Sequence, residues 1–396
     1  TVQWVVTGYM LAMASVIPIT GWAAERFGTK RIWIWSAILF VTGSALCGLS
    51  WNINSLIFFR IIQGIGGGMI MPIGMMMVAR EAGPQRMGRV MSVIGIPMML
   101  GPILGPVLGG FLVDGPGWRW IFFINIPIGL IALVLAYRLL PSDIGDRTKQ
   151  LDWKGFLLLS PGLALLVYSL AEVATHGELT GTLAILLIFS LGMLAVFVRH
   201  ALRHKAPLIE LHLFQDKSFS AASIVSFTFG AVLFGAMILL PLYYQIVRGE
   251  DALTTGLLLV PMGVGAGLAM PFAGRLTDNR GAGPVVIFGI IILALSTVPL
   301  IFIDPTTSYW LLSAALFVRG IGMGFSMMPA MSAAYRTLKP TEVPKATTTI
   351  NIIQRIGGAL GTALLTVYLE NQIPKGHLPG AANDIPLVAQ RIVSDA

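Results

Sequence analysis

Of 396 residues only 11% are charged and 56% are hydrophobic, with a mean hydropathy of +0.82. Soluble proteins carry about 25% charged residues, so the composition excludes a soluble globular fold and indicates an all-α polytopic membrane protein. The formal net charge of +8 is no nucleic-acid signal, because Lys and Arg follow loop order instead of forming a patch.

Twelve apolar segments are predicted, at 3–24, 32–51, 55–79, 88–113, 119–139, 155–173, 181–198, 218–246, 252–274, 284–303, 309–335 and 346–369. Most approach or exceed the roughly 20 residues that a helix needs to cross a bilayer. Nineteen of the 26 Lys and Arg lie in the loops after the odd-numbered segments, and four lie on the opposite side. By the positive-inside rule the first set is cytoplasmic. No basic region precedes the first apolar run, so it is not a cleaved signal peptide. The orientation leaves both chain ends external, which reads as a fragment lacking a preceding helix and a following one. Cys47 is the single cysteine, a small packing residue with no intrachain disulfide partner.

The remaining three basic residues, Arg60, Arg319 and Arg355, fall inside apolar segments. A central Arg costs about 2.5–3.5 kcal/mol on the insertion scale, so Arg60 is expected to face the protein interior with a partner. None of the 18 Asp and Glu lies in the middle of a segment; Asp114 and Glu172 sit at segment ends. Arg319 and Arg355 read more simply as structural.

Two motifs recur. Gly21-Trp-Ala-Ala-Glu25-Arg26-Phe-Gly28-Thr-Lys30-Arg31 is echoed 253 residues later by Gly274-Arg275-Leu-Thr-Asp278-Asn-Arg280-Gly281. Gly64-Ile-Gly66-Gly67-Gly68-Met-Ile-Met-Pro72 is echoed 256 residues later by Gly320-Ile-Gly322-Met-Gly324-Phe-Ser-Met-Met-Pro329. Eight segments separate each pair, so the two halves share an orientation. Parallel halves about a central axis are a transporter architecture, with substrate held between them near the midplane.

The stretch from Ser92 to Gly110 places Gly101, Gly105 and Gly109 at four-residue spacing on one helix face, with Pro102 and Pro106 beside them and Gly110 at the end. Glycines at that spacing admit a second backbone, and each proline removes a helical hydrogen bond. A bent, closely packed helix is expected. Glu25 and Arg26 have two readings: a solvated turn, or an ion-pair latch made in one conformation only. Tyr9, Met13, Gln63, Met69, Met98, Phe227, Phe234 and Tyr243 are candidates to line an adaptable apolar cavity; the alternative is that they face lipid or neighbouring helices. The five histidines, at 176, 200, 204, 212 and 377, lie in loops or segment edges without metal spacing. The glycine runs lie inside spans, so they are not phosphate loops. No enzyme, cofactor or metal site is indicated.

These residues resemble the major facilitator superfamily, in particular its 14-helix drug:proton antiporter branch of EmrB- and QacA-type efflux pumps. The Gly21–Arg31 loop is similar to the family's loop motif between its second and third helices, and Ser92–Gly110 to the antiporter motif of its fifth helix. Trp118-Arg-Trp-Ile-Phe-Phe-Ile-Asn125-Ile-Pro127-Ile-Gly129 and Pro207-Leu-Ile-Glu210-Leu-His-Leu-Phe214 resemble the branch's connecting sequences. Glu25, Thr29 and Ser92 depart from the usual Asp, basic residue and Gly. The resemblance implies two pseudo-symmetric bundles, at 1–140 and 207–370, an inserted central helix pair within 141–206, and an external tail at 371–396. It implies a proton relay at Arg60, whose acidic partner lies on a helix preceding the first segment here. It implies a conformational latch at Gly21, Glu25, Arg26, Gly28, Arg31, Asp278 and Arg280. The helix of Gly101, Pro102, Gly105, Pro106, Gly109 and Gly110 would seal the path against leak. The implied function is export of hydrophobic or cationic compounds across the bacterial inner membrane, driven by the proton gradient without a cofactor. Partners are then small molecules, protons and lipid, with a periplasmic adaptor and outer-membrane channel; oligomeric state stays open. Export of one native metabolite, siderophore or antibiotic is an alternative, and proton-coupled import a more distant one.

Overall fold

A bilayer core offers the backbone no hydrogen-bond partner, so a chain this apolar must satisfy its amides internally, and it does so with helices. The structure, a computed structural model, describes residues 3–176, 179–304, 306–339 and 341–372. The expected tail at 371–396 lies almost wholly outside the described residues. In chain order the helices are α1 (Gln3–Val16), α2 (Thr20–Phe27), α3 (Thr29–Gly48), α4 (Ile53–Asp114), α5 (Trp120–Phe123), α6 (Asn125–Leu139) and α7 (Trp153–His176). They continue with α8 (Gly181–Ala201), α9 (Lys217–Leu242), α10 (Ala252–Arg280), α11 (Ala282–Ile301), α12 (Tyr309–Arg336) and α13 (Val343–Gln372). Among the described residues, eleven helical stretches are long and apolar enough to cross a membrane. The other expected segment, 88–113, is the second part of α4.

The helices differ from the apolar segments where local chemistry intervenes. Pro18 cannot donate to the preceding turn, and a 3-10 turn at Ile17–Ile19 separates α1 from α2. The charged stretch from Arg80 to Arg89, expected as a loop, is helical apart from Gly83, whose φ of 64° and ψ of 168° break α4 in two. A single glycine makes the turn: it tolerates the positive φ, and Pro84 after it, with no N–H to give to the preceding turn, suits the first position of the following helix. Gly83 is the one residue within α4 whose φ and ψ leave the helical region, so Pro102 and Pro106 lie in continuous helix.

Helices of the first half pack around α4, which contacts α1 and α3, while α6 leans on α3. In the second half α10 and α11 pack on α12, and α9 on α13. The contacts α1–α4 and α10–α12 repeat one another, as do α3–α4 and α11–α12. The repeated glycines make these seams. A Cβ at Gly66 would fall 2.6 Å from the Phe40 nitrogen, and one at Gly322 2.8 Å from the Leu293 nitrogen. The inserted pair α7 and α8 is bound face to face, and α7 also lies against both α1 and α13.

The two halves meet at the ends that carry the basic loops. Gly88 of α4 crosses Gly274 of α10, where a Cβ on either would stand 2.7 Å from the other's carbonyl oxygen. Ser92, buried beside this crossing, would lie 2.5 Å from a Gly274 Cβ through its hydroxyl, so only a small residue fits there. The largest apolar core continues across the seam: Met87 and Met91 of α4 join Met270, Met323 and Met328. Unbranched methionine fills such an irregular surface well.

Candidate functional site

Arg60 lies on α4 one turn before the glycine run, and the turn is held by its neighbours. Its Nε donates to the Val5 carbonyl at 3.1 Å and a terminal nitrogen donates to Gln63 Oε1 at 2.7 Å. The guanidinium carbon stands 4.0 Å from the Tyr9 ring centre and 5.7 Å from that of Phe122. Arg60 therefore faces protein, as its cost in lipid requires. Its charge meets a carbonyl, an amide and an aromatic face, and no carboxylate lies within ion-pair distance among the described residues.

Gln63 is 1% exposed and passes this network inward. Its amide nitrogen donates to Ser44 Oγ on α3, and Asn125 Nδ2 donates to the same hydroxyl at 3.3 Å. Cys47 Sγ stands 3.9 Å from Gln63 Oε1. Of the two readings open to Gln63, cavity lining or packing on a neighbouring helix, its contacts match the second: it bridges α3 and α4, because a buried amide must spend its donors and acceptors on protein. By the 256-residue spacing Gln63 corresponds to Arg319 on α12. Arg319 is 7% exposed and donates to Thr297 Oγ1 on α11 at 2.7 Å, leaving its Nε buried without a partner. Both halves thus tie their α4-like helix to the adjoining helix through one polar side chain.

The expected latch residues do not gather into one cluster. Gly21 lets α2 approach α13: a Cβ would meet Thr348 Oγ1 at 3.0 Å and the Pro344 carbonyl at 3.2 Å. Beside it Thr20 and Thr348 share a hydroxyl hydrogen bond of 3.1 Å. Glu25 stands 4.0 Å from Lys149, in the loop after α6, and its carbonyl accepts from Asp146 N–H at 2.8 Å. Arg26 is drawn to that loop too, donating to the Lys149 carbonyl and lying over Trp22 and Phe27. Across the seam Lys345 pairs with Glu210, while His212 stands between Glu210 and Glu342. Asp278, the second-half counterpart of this region, accepts from the backbone N–H groups of Gly88 at 2.8 Å and Arg89 at 3.1 Å. It is the one charged member that reaches directly across to α4. Arg31 and Arg280 are exposed and take no part in these contacts.

Gly28 has φ 90°, and as the residue before α3 it has no side chain with which to cap it. Asp143 supplies the cap from the loop after α6, accepting from Thr29 N–H at 2.7 Å, Thr29 Oγ1 at 2.8 Å and Lys30 N–H at 3.1 Å. Arg80 lies 3.4 Å away. Partial burial opposes its ionisation, but the donated hydrogen bonds outweigh that and hold the carboxyl below its usual range. Sequence reading missed Asp143; the signal was a helix start at Thr29 preceded by a residue that cannot cap it. Asp143, Thr29, Arg80, Glu81 and Arg86 line a cavity of about 410 Å³ at this end of the first half.

Among the described residues the glycine face of α4 is open. A Cβ at Gly101, Gly105, Gly109 or Gly110 would meet nothing within 4 Å, in contrast to the expected close packing. The side chains of Pro102 and Pro106 lie outside the described residues. The same 256-residue spacing maps Gly101 and Gly105 onto Gly357 and Gly361 of α13. There a Cβ would fall 2.2 Å from the Phe227 carbonyl oxygen and 2.5 Å from the Ala231 Cα, because α9 is seated on that face. Within the described residues no helix occupies the equivalent face of α4.

The cavity candidates scatter. Tyr9 lies under Arg60, Met13 presses its backbone on Gly68, and Met98 packs at the edge of the methionine core between the halves. Phe227 and Phe234 belong to the α9–α13 contact, where Gly357 and Gly358 receive them. Tyr243 is at the opposite end from the basic loops, its hydroxyl donating to the Asp304 carbonyl at 2.8 Å, so it secures a loop. Met69 is half-buried.

With the geometry in place, the comparisons with known proteins agree on one scaffold. The chain is 42% identical over 393 residues to a multidrug resistance protein B homolog of Mycobacterium tuberculosis, covering 98% of this chain and 73% of that protein. It is 28% identical over 370 residues to multidrug resistance protein 3 of Bacillus subtilis, covering 93% and 72%. Among solved structures it is similar to the human organic anion transporter MFSD10 (TETRAN), with a TM-score of 0.69 at 17% identity over 92% of this chain and 77% of that one. The proton:xylose symporter XylE gives 0.63 at 15% identity, over 92% and 78%. At those identities the structures establish the fold alone. The sequence model described as Major Facilitator Superfamily matches residues 1–362, and the chain is a multi-pass membrane transporter belonging to that superfamily.

Proposed function

We propose that the protein exports hydrophobic or cationic small molecules across the bacterial inner membrane in exchange for protons, by alternating access between its two halves. The observation that carries this reading is Arg60: a guanidinium inside a membrane span, held by a carbonyl, an amide and an aromatic ring, with no carboxylate within ion-pair distance among the described residues. An unneutralised charge in that position is suited to respond to a proton or a cationic cargo arriving nearby. The names of the two multidrug-resistance relatives support a drug-like cargo.

The finer assignment is to the 14-helix drug:proton antiporter branch, with this chain a portion of such a protein. What supports it is the correspondence between Gly101, Gly105 and Gly357, Gly361. The second pair accepts α9, so the first pair is shaped for the corresponding helix of the first half. That helix would bring the proton-binding acid toward Arg60. The contacts Thr20–Thr348 and Asp278–Gly88 cross between the halves at the basic-loop ends, which supports an arrangement closed toward the cytoplasm. Rocking would break them and open that side.

The test is dye transport in inverted membrane vesicles with an imposed proton gradient. Accumulation of a cationic dye inside the vesicles that collapses with a protonophore is the expected result. Transport indifferent to the gradient would remove the antiport reading, and transport of one metabolite with no dye transport would favour a dedicated exporter.

A further inference from the structure

We propose that Asp152, His200 and His204 form a binding site for a divalent transition metal at the basic-loop end of the inserted helix pair. The five histidines show no metal spacing when taken as loop residues, but the fold gathers two of them. Asp152 immediately precedes α7 and caps it, its Oδ1 accepting from Gly155 N–H at 2.9 Å. The same oxygen lies 2.8 Å from His200 Nε2, in the last turn of α8. His204 follows one helical turn later, its N–H donating to the His200 carbonyl at 2.9 Å. The two imidazoles stand side by side, with centroids 5.0 Å apart and planes 33° from parallel. One donor atom from each of the three residues lies within 4.8 Å of the others.

A second observation separates this cluster from an ordinary capping carboxylate. The Asp152 side chain is only 2% exposed, and its Oδ2 is buried without a hydrogen-bond partner. Leaving a carboxylate oxygen unpaired in such a place is costly, and a cation is the usual remedy. Gly155 makes the placement possible, since a Cβ there would stand 2.2 Å from that oxygen. His204 Nδ1 accepts from Ala206 N–H at 3.2 Å, which leaves Nε2 free to ligate and fixes the ring. A metal ion would take the place of the proton between His200 Nε2 and the Asp152 carboxylate, engage the unpaired Oδ2 as well, gather His204 Nε2, and complete its shell with water. Two imidazoles and one carboxylate suit zinc, cobalt or nickel; magnesium and calcium prefer all-oxygen sets. Leu159 and Leu163 of α7 and Phe197 and Ala201 of α8 share a buried cluster with Ile17 and Ile352, so such an ion would fasten the start of α7 to the end of α8 where the pair touches both halves.

The test uses the full chain, purified without a histidine tag and titrated with Co²⁺. The expected result is one equivalent of Co²⁺ giving visible ligand-field bands that Zn²⁺ displaces. His204 is exposed, so H204A leaves the fold intact and should weaken binding at least about tenfold, as should H200A. H212A, which removes the separate Glu210–His212–Glu342 cluster, should leave the bands unchanged. Zn²⁺ should raise the unfolding temperature of the wild type and not that of H204A. No stoichiometric band would overturn the proposal, and so would a band that survives H200A and H204A or disappears in H212A.

Discussion

Arg60 spends its donors on the Val5 carbonyl and Gln63 and its face on Tyr9. Lys at this position keeps the charge but loses the planar fork, so it satisfies fewer of these partners at once. R60K is therefore expected to fold and yet slow gradient-driven dye transport about tenfold or more. R60A should additionally lower the unfolding temperature, since hydrogen bonds to a charged group are each worth about 1.5–3 kcal/mol. Vesicle transport read beside thermal unfolding separates the two effects, and undiminished transport by R60A would refute the relay assignment.

Asp143 is a stability residue by geometry. D143A removes the cap of α3 and should cost about 1 kcal/mol. The sign of its pH dependence follows from a carboxyl held below its usual range in the folded state: its contribution is present above the unfolded value of about 3.9 and is lost as the pH falls through the lower folded value. The unfolding temperatures of D143A and wild type should thus differ by a constant amount from about pH 5 to 8 and converge below about pH 4. Scanning fluorimetry on the tryptophans measures this, and a gap that widens on acidification would contradict it.

At the scale of helices, the seams are decided by glycines whose missing side chains leave room for a backbone. Valine at Gly274 would collide with the Gly88 carbonyl and Ser92, and the helices α4 and α10 cannot both keep their paths. G274V is expected to pry the halves apart at the basic-loop ends. In a chain with Cys47 replaced by Ser, a cysteine at buried Thr348 should then react faster with an impermeant maleimide applied from that side. An unchanged labelling rate would mean that the crossing does not hold that side shut. The polar bridges Gln63–Ser44 and Arg319–Thr297 act at the same scale, each joining neighbouring helices within its own half.

Across the whole molecule the α2–α13 and α4–α10 crossings must open together if the halves move as bodies. Thr20 and Thr348 have hydroxyls 3.1 Å apart, so cysteines placed at both positions are near enough to be joined by oxidation or a short cross-linker. The joined protein, again without Cys47, should lose transport and regain it on reduction, while each single cysteine variant transports normally. Full activity in the joined form would exclude a cycle that separates these ends.

The sequence by itself determined that the chain is a membrane protein, roughly where its spans lie, which loops share a side, and that two halves repeat. These are properties of composition and spacing, and hydrophobic transfer enforces them one segment at a time. It also singled out Arg60, because a charge inside an apolar run is costly wherever its neighbours happen to be. The tertiary structure alone decided who those neighbours are. It turned Gln63 from a cavity candidate into a bridge, brought Asp143 to the start of α3 from more than 100 residues away, and set Asp278 against the backbone of Gly88. Among the described residues it left the glycine face of α4 open while filling the equivalent face of α13. A glycine stripe records only that something fits closely, whereas the partner depends on how helices distant in sequence cross, and that geometry is settled by packing across the entire bundle.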